Sequence, residues 1–214
     1  MYMRFLKIFV PAVMSGLFIG IGGTVYLSVE NRFLGAFLFS VGLFAILSMG
    51  LNLFTGKVCY LFENPPSYCL TLLVIWLGNF AGTWLCAQAM LLTRAGAALC
   101  EKAAGLCAVK LSDNLLSIFI LAIFCNLLIC LAVEGYKKIP HALGKYLAIV
   151  FAIMVFILAG FEHCVANMFY FTLGRAWSAG TLLYLVVMTI GNSAGGVIIP
   201  LYIRFFGGSF SNNQ

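Results

Sequence analysis

Six stretches of this chain contain no charged residue: residues 8–29, 33–56, 65–93, 114–133, 146–161 and 176–203. A bilayer core about 30 Å thick needs about 20 apolar residues in a helix, and these runs meet or nearly meet that length. Composition agrees, with 64% hydrophobic and only 8% charged residues. A soluble domain carries roughly 25% charged residues, so this chain cannot build a wetted surface. Disorder, a nucleic-acid module, a coiled coil and a disulfide-stapled secreted domain are all excluded. The net charge of +6 lies mostly in connecting segments and marks no nucleic-acid partner. The reading is an all-α integral membrane protein embedded in a lipid bilayer, one transmembrane domain over residues 1–214.

Arg4 and Lys7 precede the first run as in a signal peptide, but the run is too long for an h-region and no clear A-x-A site follows. It is therefore read as helix 1 of six. Six spans place both termini on one side. Arg4, Lys7, Lys137, Lys138 and Arg204 then face Arg32, Arg94, Lys102 and Arg175 across the membrane, which puts the termini in the cytoplasm.

Two spans are interrupted in corresponding places. Helix 2 meets Gly50-Leu-Asn-Leu-Phe-Thr-Gly-Lys57, and helix 5 meets Glu162-His163, each resuming as an apolar stretch. Non-helical backbone at membrane depth must line a cavity or be buried in protein. The interruptions belong to an internal repeat: Asn79 and Asn192, each within Gly-Asn-x-Ala-Gly, lie 113 positions apart, and Gly50 and Gly160 lie 110 apart. Three helices per half forces the second half to enter the membrane inverted. Inverted repeats of about 1–105 and 106–214 with paired broken helices point to a central binding or permeation site.

Ionisable groups at membrane depth are expensive and usually functional. Glu162 and His163 therefore stand out, His163 as a pore-lining group that titrates near neutral pH and Glu162 as a partner for backbone amides or a lysine. Lys110, before helix 4, is either a snorkelling lysine or a source of positive potential. Asn126, Asn167, Asn192 and Asn79 can bond across helices or satisfy freed backbone groups. Gly16, Gly20 and Gly23 of helix 1, with Gly191 and Gly195 of helix 6, mark close helix packing. The eight cysteines form no C-x-x-C or zinc-type cluster, although Cys100 and Cys107 share what reads as one loop and could pair there. No P-loop, dinucleotide fingerprint, acid pair or second membrane-depth histidine for a haem is present. Neither metal nor cofactor is expected, and a membrane enzyme or scaffold stands as the alternative of another class.

The strings Gly160-Phe-Glu-His-Cys-Val-Ala-Asn-Met168, Leu53-Phe-Thr-Gly56 and Gly191-Asn-Ser-Ala-Gly-Gly196 resemble the formate/nitrite transporter family over nearly the whole chain. That resemblance implies an aquaporin-like protomer, a homopentamer with one pore per protomer in the cell inner membrane, and passage of small monovalent anions of weak acids. It implies that Leu53, Thr55 and His163 reach the pore, that Phe39, Leu43 and Phe156 build apolar constrictions, and that Asn192 lies near the central histidine. Lys110, Glu162, Asn126 and Asn167 match a buried polar set beside the pore. Formate or nitrite is the first expectation. Asn52, where formate channels carry Glu, and the short segment between Met168 and Asn192 make hydrosulfide the competing substrate. A bare anion crosses a ring of Leu and Phe poorly, whereas the neutral acid crosses readily. His163 and Thr55 offer donors between the constrictions, and transfer of a proton through His163 or plain anion conduction both fit.

Overall fold

The computed structural model describes residues 2–207, and for Tyr2 and Arg4 the backbone alone. The charge reading at Arg4 thus falls outside the described side chains. Among the described residues the fold is helical throughout. The elements are α1 (Tyr2–Ser28), α2 (Arg32–Ser48), α3 (Phe54–Lys57), a 3-10 helix (Val58–Glu63), α4 (Tyr68–Leu91), α5 (Gly96–Leu111), α6 (Leu115–Lys138), α7 (Ala142–Leu158), α8 (Cys164–Leu173) and α9 (Ala179–Phe206). Asparagine and serine caps start several of them. Asn31 Oδ1 accepts from the Phe33 and Leu34 amides, Asn114 from Ser117 and Ser178 from Thr181.

Four helices are long and apolar enough to cross a membrane: Phe5–Ser28, Tyr68–Leu91, Leu115–Lys138 and Ala179–Phe206. Their outward faces are apolar as well. Phe37, Val41 and Phe44 of α2, Phe151 and Val155 of α7, and Leu182, Val186 and Ile190 of α9 are all exposed. Such a surface suits lipid, not water. The reverse holds at the centre, where every residue of the ten-residue helix α8 is buried. A helix apolar on all sides belongs inside a bundle, and α8 packs against α1, α4, α5 and α9.

Two helix pairs form the frame: α1 against α4, and α6 against α9. Backbone meets backbone in both. A Cβ on Gly82 would lie 2.0 Å from the Val13 carbonyl oxygen, and one on Gly195 would lie 2.0 Å from that of Ile123. Gly78 and Gly191 face the methyls of Ala12 and Ala122 at 2.6 and 2.7 Å in the same sense. Gly16 seats against Asn79, Gly82 and Thr83, and Gly20 against Cys86. Small residues at such seams let van der Waals contact hold helices together in lipid.

The structure corrects the sequence reading at three places. Residues 96–111 form α5 instead of a loop, because Glu101, Lys102 and Lys110 break the uncharged run while Gly96, Leu99, Ala103 and Cys107 make a helical stripe that is buried. Cys100 and Cys107 therefore stand two turns apart on one helix, about 10 Å by helical rise, beyond disulfide reach. The charged segment 134–145 between the fourth and fifth uncharged runs, which reads as a polar loop, shrinks to a connection of residues 139–141, with Glu134 on α6 and Lys145 on α7. His141 takes the N-cap position of α7 without capping it through its side chain.

Replacing Gly82 or Gly195 with Ala should drive a methyl into a facing backbone and cost about 1–3 kcal/mol. A lowered melting temperature and loss of a monodisperse peak in detergent are the expected outcomes. The same change at Gly105, where a Cβ meets nothing within 4 Å, should leave both unchanged.

Candidate functional site

The site is built at two places where helix gives way. After α2 the chain passes through Gly50, with φ +66°, and after α7 through Gly160, with φ +74°. Left-handed backbone at those φ values favours glycine. The amides of Leu51 and Phe161 reach back to the Ile46 and Phe156 carbonyls at 2.9 Å each, closing α2 and α7 alike with the bond of a Schellman motif. Leu53 and His163 are then extended, and α3 and α8 begin.

One asparagine clamps each interruption. Asn79 Oδ1 accepts the Phe54 amide at 2.8 Å, while its Nδ2 donates to the Ala12 and Asn52 carbonyls at 2.8 and 2.9 Å. Asn192 Oδ1 accepts the Cys164 amide at 2.8 Å, and its Nδ2 donates to the Ala122 and Glu162 carbonyls at 2.8 Å each. Each partner in the second set lies 110 positions beyond its counterpart in the first. Asn126 supports the second clamp by donating to the Asn192 carbonyl at 2.7 Å. Asn126 and Asn192 are not among the lining residues of the two cavities nearest His163, and both position backbone.

His163 and Thr55 meet where the two interruptions face each other, 3% and 0% exposed. His163 caps α8, its Nδ1 accepting the Ala166 amide at 3.0 Å. A nitrogen that accepts carries no hydrogen, so the neutral ring holds its proton on Nε2 and donates it to Thr55 Oγ1 at 2.9 Å. The hydroxyl hydrogen of Thr55 then has no acceptor among the described residues. The Phe156 ring stacks on the imidazole at 5.8 Å, and Phe39 meets Phe156 edge-on at 6.0 Å.

Two cavities flank this pair and draw on opposite ends of α2. The first, about 90 Å³, holds His163 together with Phe39, Phe156, Lys110, Asn167 and Arg32. The second, about 140 Å³, holds Leu43 and Leu53 together with Lys57, Tyr60, Tyr136 and Lys137. Sequence reasoning missed Lys57, Tyr60 and Lys137 as cavity residues, although Lys57 is a charge inside an interrupted span. It also placed Arg32 only in a charge balance. The Arg32 guanidinium donates to the Leu158 carbonyl at 2.8 Å and closes the end of α7.

Beside the histidine the charges are paired. Lys110 Nζ donates to Glu162 Oε2 at 2.6 Å, with the side chains 12% and 4% exposed. Asn167 Nδ2 donates to the same oxygen at 2.7 Å, and its Oδ1 is buried without a partner. Among the described residues no three His, Cys, Asp or Glu side chains group as metal ligands. Removing one member of a buried ion pair strands the other, at about 3–5 kcal/mol. Lys110→Gln should therefore lower the melting temperature sharply, and Lys110→Gln with Glu162→Gln should recover most of the loss. A single variant as stable as the wild type would show that the pair is not holding α5 to this site.

The formate/nitrite transporter family profile matches residues 1–206. Among curated relatives, an uncharacterised transporter YrhG of Bacillus subtilis is 32% identical, covering 82% of this chain and 71% of its own length. The formate channel FocB of Escherichia coli is 28% identical over 76% of this chain, and the nitrite transporter NirC of the same organism 27% identical over 90%. This chain spans 64% of FocB and 80% of NirC, but only 43% of formate-nitrite transporter 3 of Toxoplasma gondii, to which it is 28% identical over 94% of its own length. A solved structure described as a pentameric formate channel with formate bound superimposes with a TM-score of 0.79 at 23% identity, covering 95% of this chain and 98% of that one. By the match across its length, the chain belongs to the formate/nitrite transporter family.

Proposed function

We propose that the protein is a homopentameric channel or transporter for small monovalent anions of weak acids, formate or nitrite first, each protomer with its own pore. The observation that carries this reading is the buried His163–Thr55 donor pair between two lysine-bearing cavities, with Phe39, Leu43, Leu53 and Phe156 as the apolar walls. In this reading α2 with α3, and α7 with α8, are the two interrupted spans of a six-span protomer made of inverted repeats. It sits in the cell inner membrane with both termini in the cytoplasm. The names of the relatives and the matching 110-residue offset between the partners of the two asparagine clamps support it.

The proposed mechanism follows from solvation. Stripping water from an anion against Leu and Phe walls is very costly, whereas the neutral acid crosses with little penalty. Lysines at the cavities raise the local anion concentration. A hydronium ion reaching the cavity from the bulk protonates the anion and is left as water, and the Thr55 Oγ–H, polarised by the His163 Nε2–H that its oxygen accepts, replaces part of the lost hydration. To carry that proton itself, His163 would have to accept it on Nδ1 and give up the cap on α8. The capped ring thus acts as a donor, and proton coupling resides in the acid that crosses.

Uptake into liposomes, with internal pH followed at the same time, tests the proposal. Formate or nitrite should enter with acidification of the lumen. Uptake of hydrosulfide alone would move the substrate to that competitor, and uptake of none would overturn the reading. His163→Asn keeps a capping oxygen but loses the Nε2–H donor. It should slow uptake roughly tenfold, the worth of one hydrogen bond, while retaining the pentamer and the pH dependence.

A further inference from the structure

The face of α8 that begins at His163 continues along the helix as Ala166, Asn167 and Tyr170, at spacings of three and four residues. All four line the cavity of about 90 Å³, together with Phe39 and Phe156. Two polar groups on this face are idle. The Asn167 amide turns its nitrogen to Glu162 Oε2 at 2.7 Å and to Met188 Sδ at 3.2 Å, which leaves Oδ1 buried without a partner. Turning the amide over would set its oxygen against the Glu162 carboxylate, so the orphan is the oxygen. One turn further on, Tyr170 is buried, and its hydroxyl makes no hydrogen bond among the described residues. The Cβ atoms of residues three apart on a helix lie about 5–6 Å from each other. Charge does not occupy these groups: Lys110 is bound to Glu162 at 2.6 Å, and the exposed Arg32 donates to the Ile157 and Leu158 carbonyls at 3.4 and 2.8 Å. Buried polar groups are nearly always satisfied. An acceptor and a donor left idle a turn apart in one cavity therefore match an occupant that brings one of each.

We infer that Tyr170 and Asn167 form a binding site for a small neutral oxyacid, in which Tyr170 Oη–H donates to the bare oxygen of the acid and Asn167 Oδ1 accepts its O–H. The inference deepens the proposed transport of weak acids and rests on it. The oxygen of Asn167 is what reads the proton. A bare oxyanion has acceptors only, so against it Oδ1 stays unpaired and turns a partial negative charge toward it. A site built to hydrogen-bond an O–H rejects the analogue that lacks it. The pair also separates substrates. Formic and nitrous acids each carry one O–H and one bare oxygen, whereas sulfur is a weak donor and a weak acceptor, so hydrogen sulfide gains little from either group. The cavity, about 90 Å³, holds one such acid with a water or two, each of about 30 Å³. Tyr170 and Asn167 thus set a preference for oxyacids over hydrogen sulfide.

Uptake of formate and of hydrosulfide into liposomes, with formamide as competitor, tests the site. Formamide is uncharged and pairs an N–H with an oxygen as formic acid pairs an O–H with one. It should inhibit formate uptake by the wild type competitively. Tyr170→Phe removes one oxygen and keeps the ring. It should raise the half-saturating formate concentration roughly tenfold, a change of about 1.4 kcal/mol in binding, and leave the maximal rate within about twofold. Formamide should inhibit this variant more weakly by a similar factor, and hydrosulfide uptake should stay within about twofold. Asn167→Ala also gives up the bond to Glu162, so it is judged by the ratio of formate to hydrosulfide uptake, which a general loss of structure would not move. That ratio should fall roughly tenfold at low concentration. If the wild type takes up no anion but formamide raises its melting temperature and not that of Tyr170→Phe, the transport reading fails and the binding site stands. Transport with an unchanged ratio and unchanged formamide inhibition in both variants overturns the site. Should a variant not assemble, or hydrosulfide not pass, formamide competition in the wild type decides: competitive inhibition supports the site, and its absence overturns it.

Discussion

Everything at the centre of this protein depends on how the polar backbone is satisfied where its helices stop. A peptide group left unpaired in hydrocarbon costs several kcal/mol, and two successive interruptions would be prohibitive. Asn79 and Asn192 remove that cost. Each amide uses both donors and one acceptor on backbone, tying the end of one segment, the start of the next and a carbonyl of a neighbouring helix to one point. The asparagines can reach because glycines beside them let α4 touch α1 and α9 touch α6. Close packing and polar satisfaction are one device here, seen twice.

With the backbone fixed, the interruptions can offer side chains that a continuous helix could not. His163 leaves the chain in extended geometry, caps α8 through one nitrogen and meets Thr55 through the other. Its role as a cap decides its tautomer, and its tautomer decides what a solute would meet. The ion pair of Lys110 and Glu162 then acts chiefly on structure, joining α5 to the start of α8.

Much of this was legible in the sequence, for identifiable reasons. Gly50 and Gly160 interrupt apolar runs, and the repeated Gly-Asn-x-Ala-Gly strings mark the clamps at nearly the same offset. His163 and Glu162 stand out because ionisable residues are scarce in such runs. Other features were not legible. Helix α5 hides from a search for uncharged runs, since its exposed face carries charge while a narrow stripe of Gly96, Leu99, Ala103 and Cys107 is buried. The set of Tyr60, Glu134 and Lys137 spans 74 to 77 positions in sequence, and Glu134 and Lys137 read as part of a connecting loop until α6 is seen to run on to Lys138. No spacing rule reveals which nitrogen of His163 bears the proton. That required the Ala166 amide.

The protonation of that ring tests the account most directly. The chain has two histidines, so a His141→Gln protein labelled with nitrogen-15 leaves one imidazole to observe by NMR in bilayers. The account expects a bare Nδ1 and a protonated Nε2, unchanged between roughly pH 5 and 8, the range in which an ordinary histidine titrates. A proton on Nδ1 in that range, as the other tautomer or as imidazolium, would contradict it, because a protonated Nδ1 cannot cap α8.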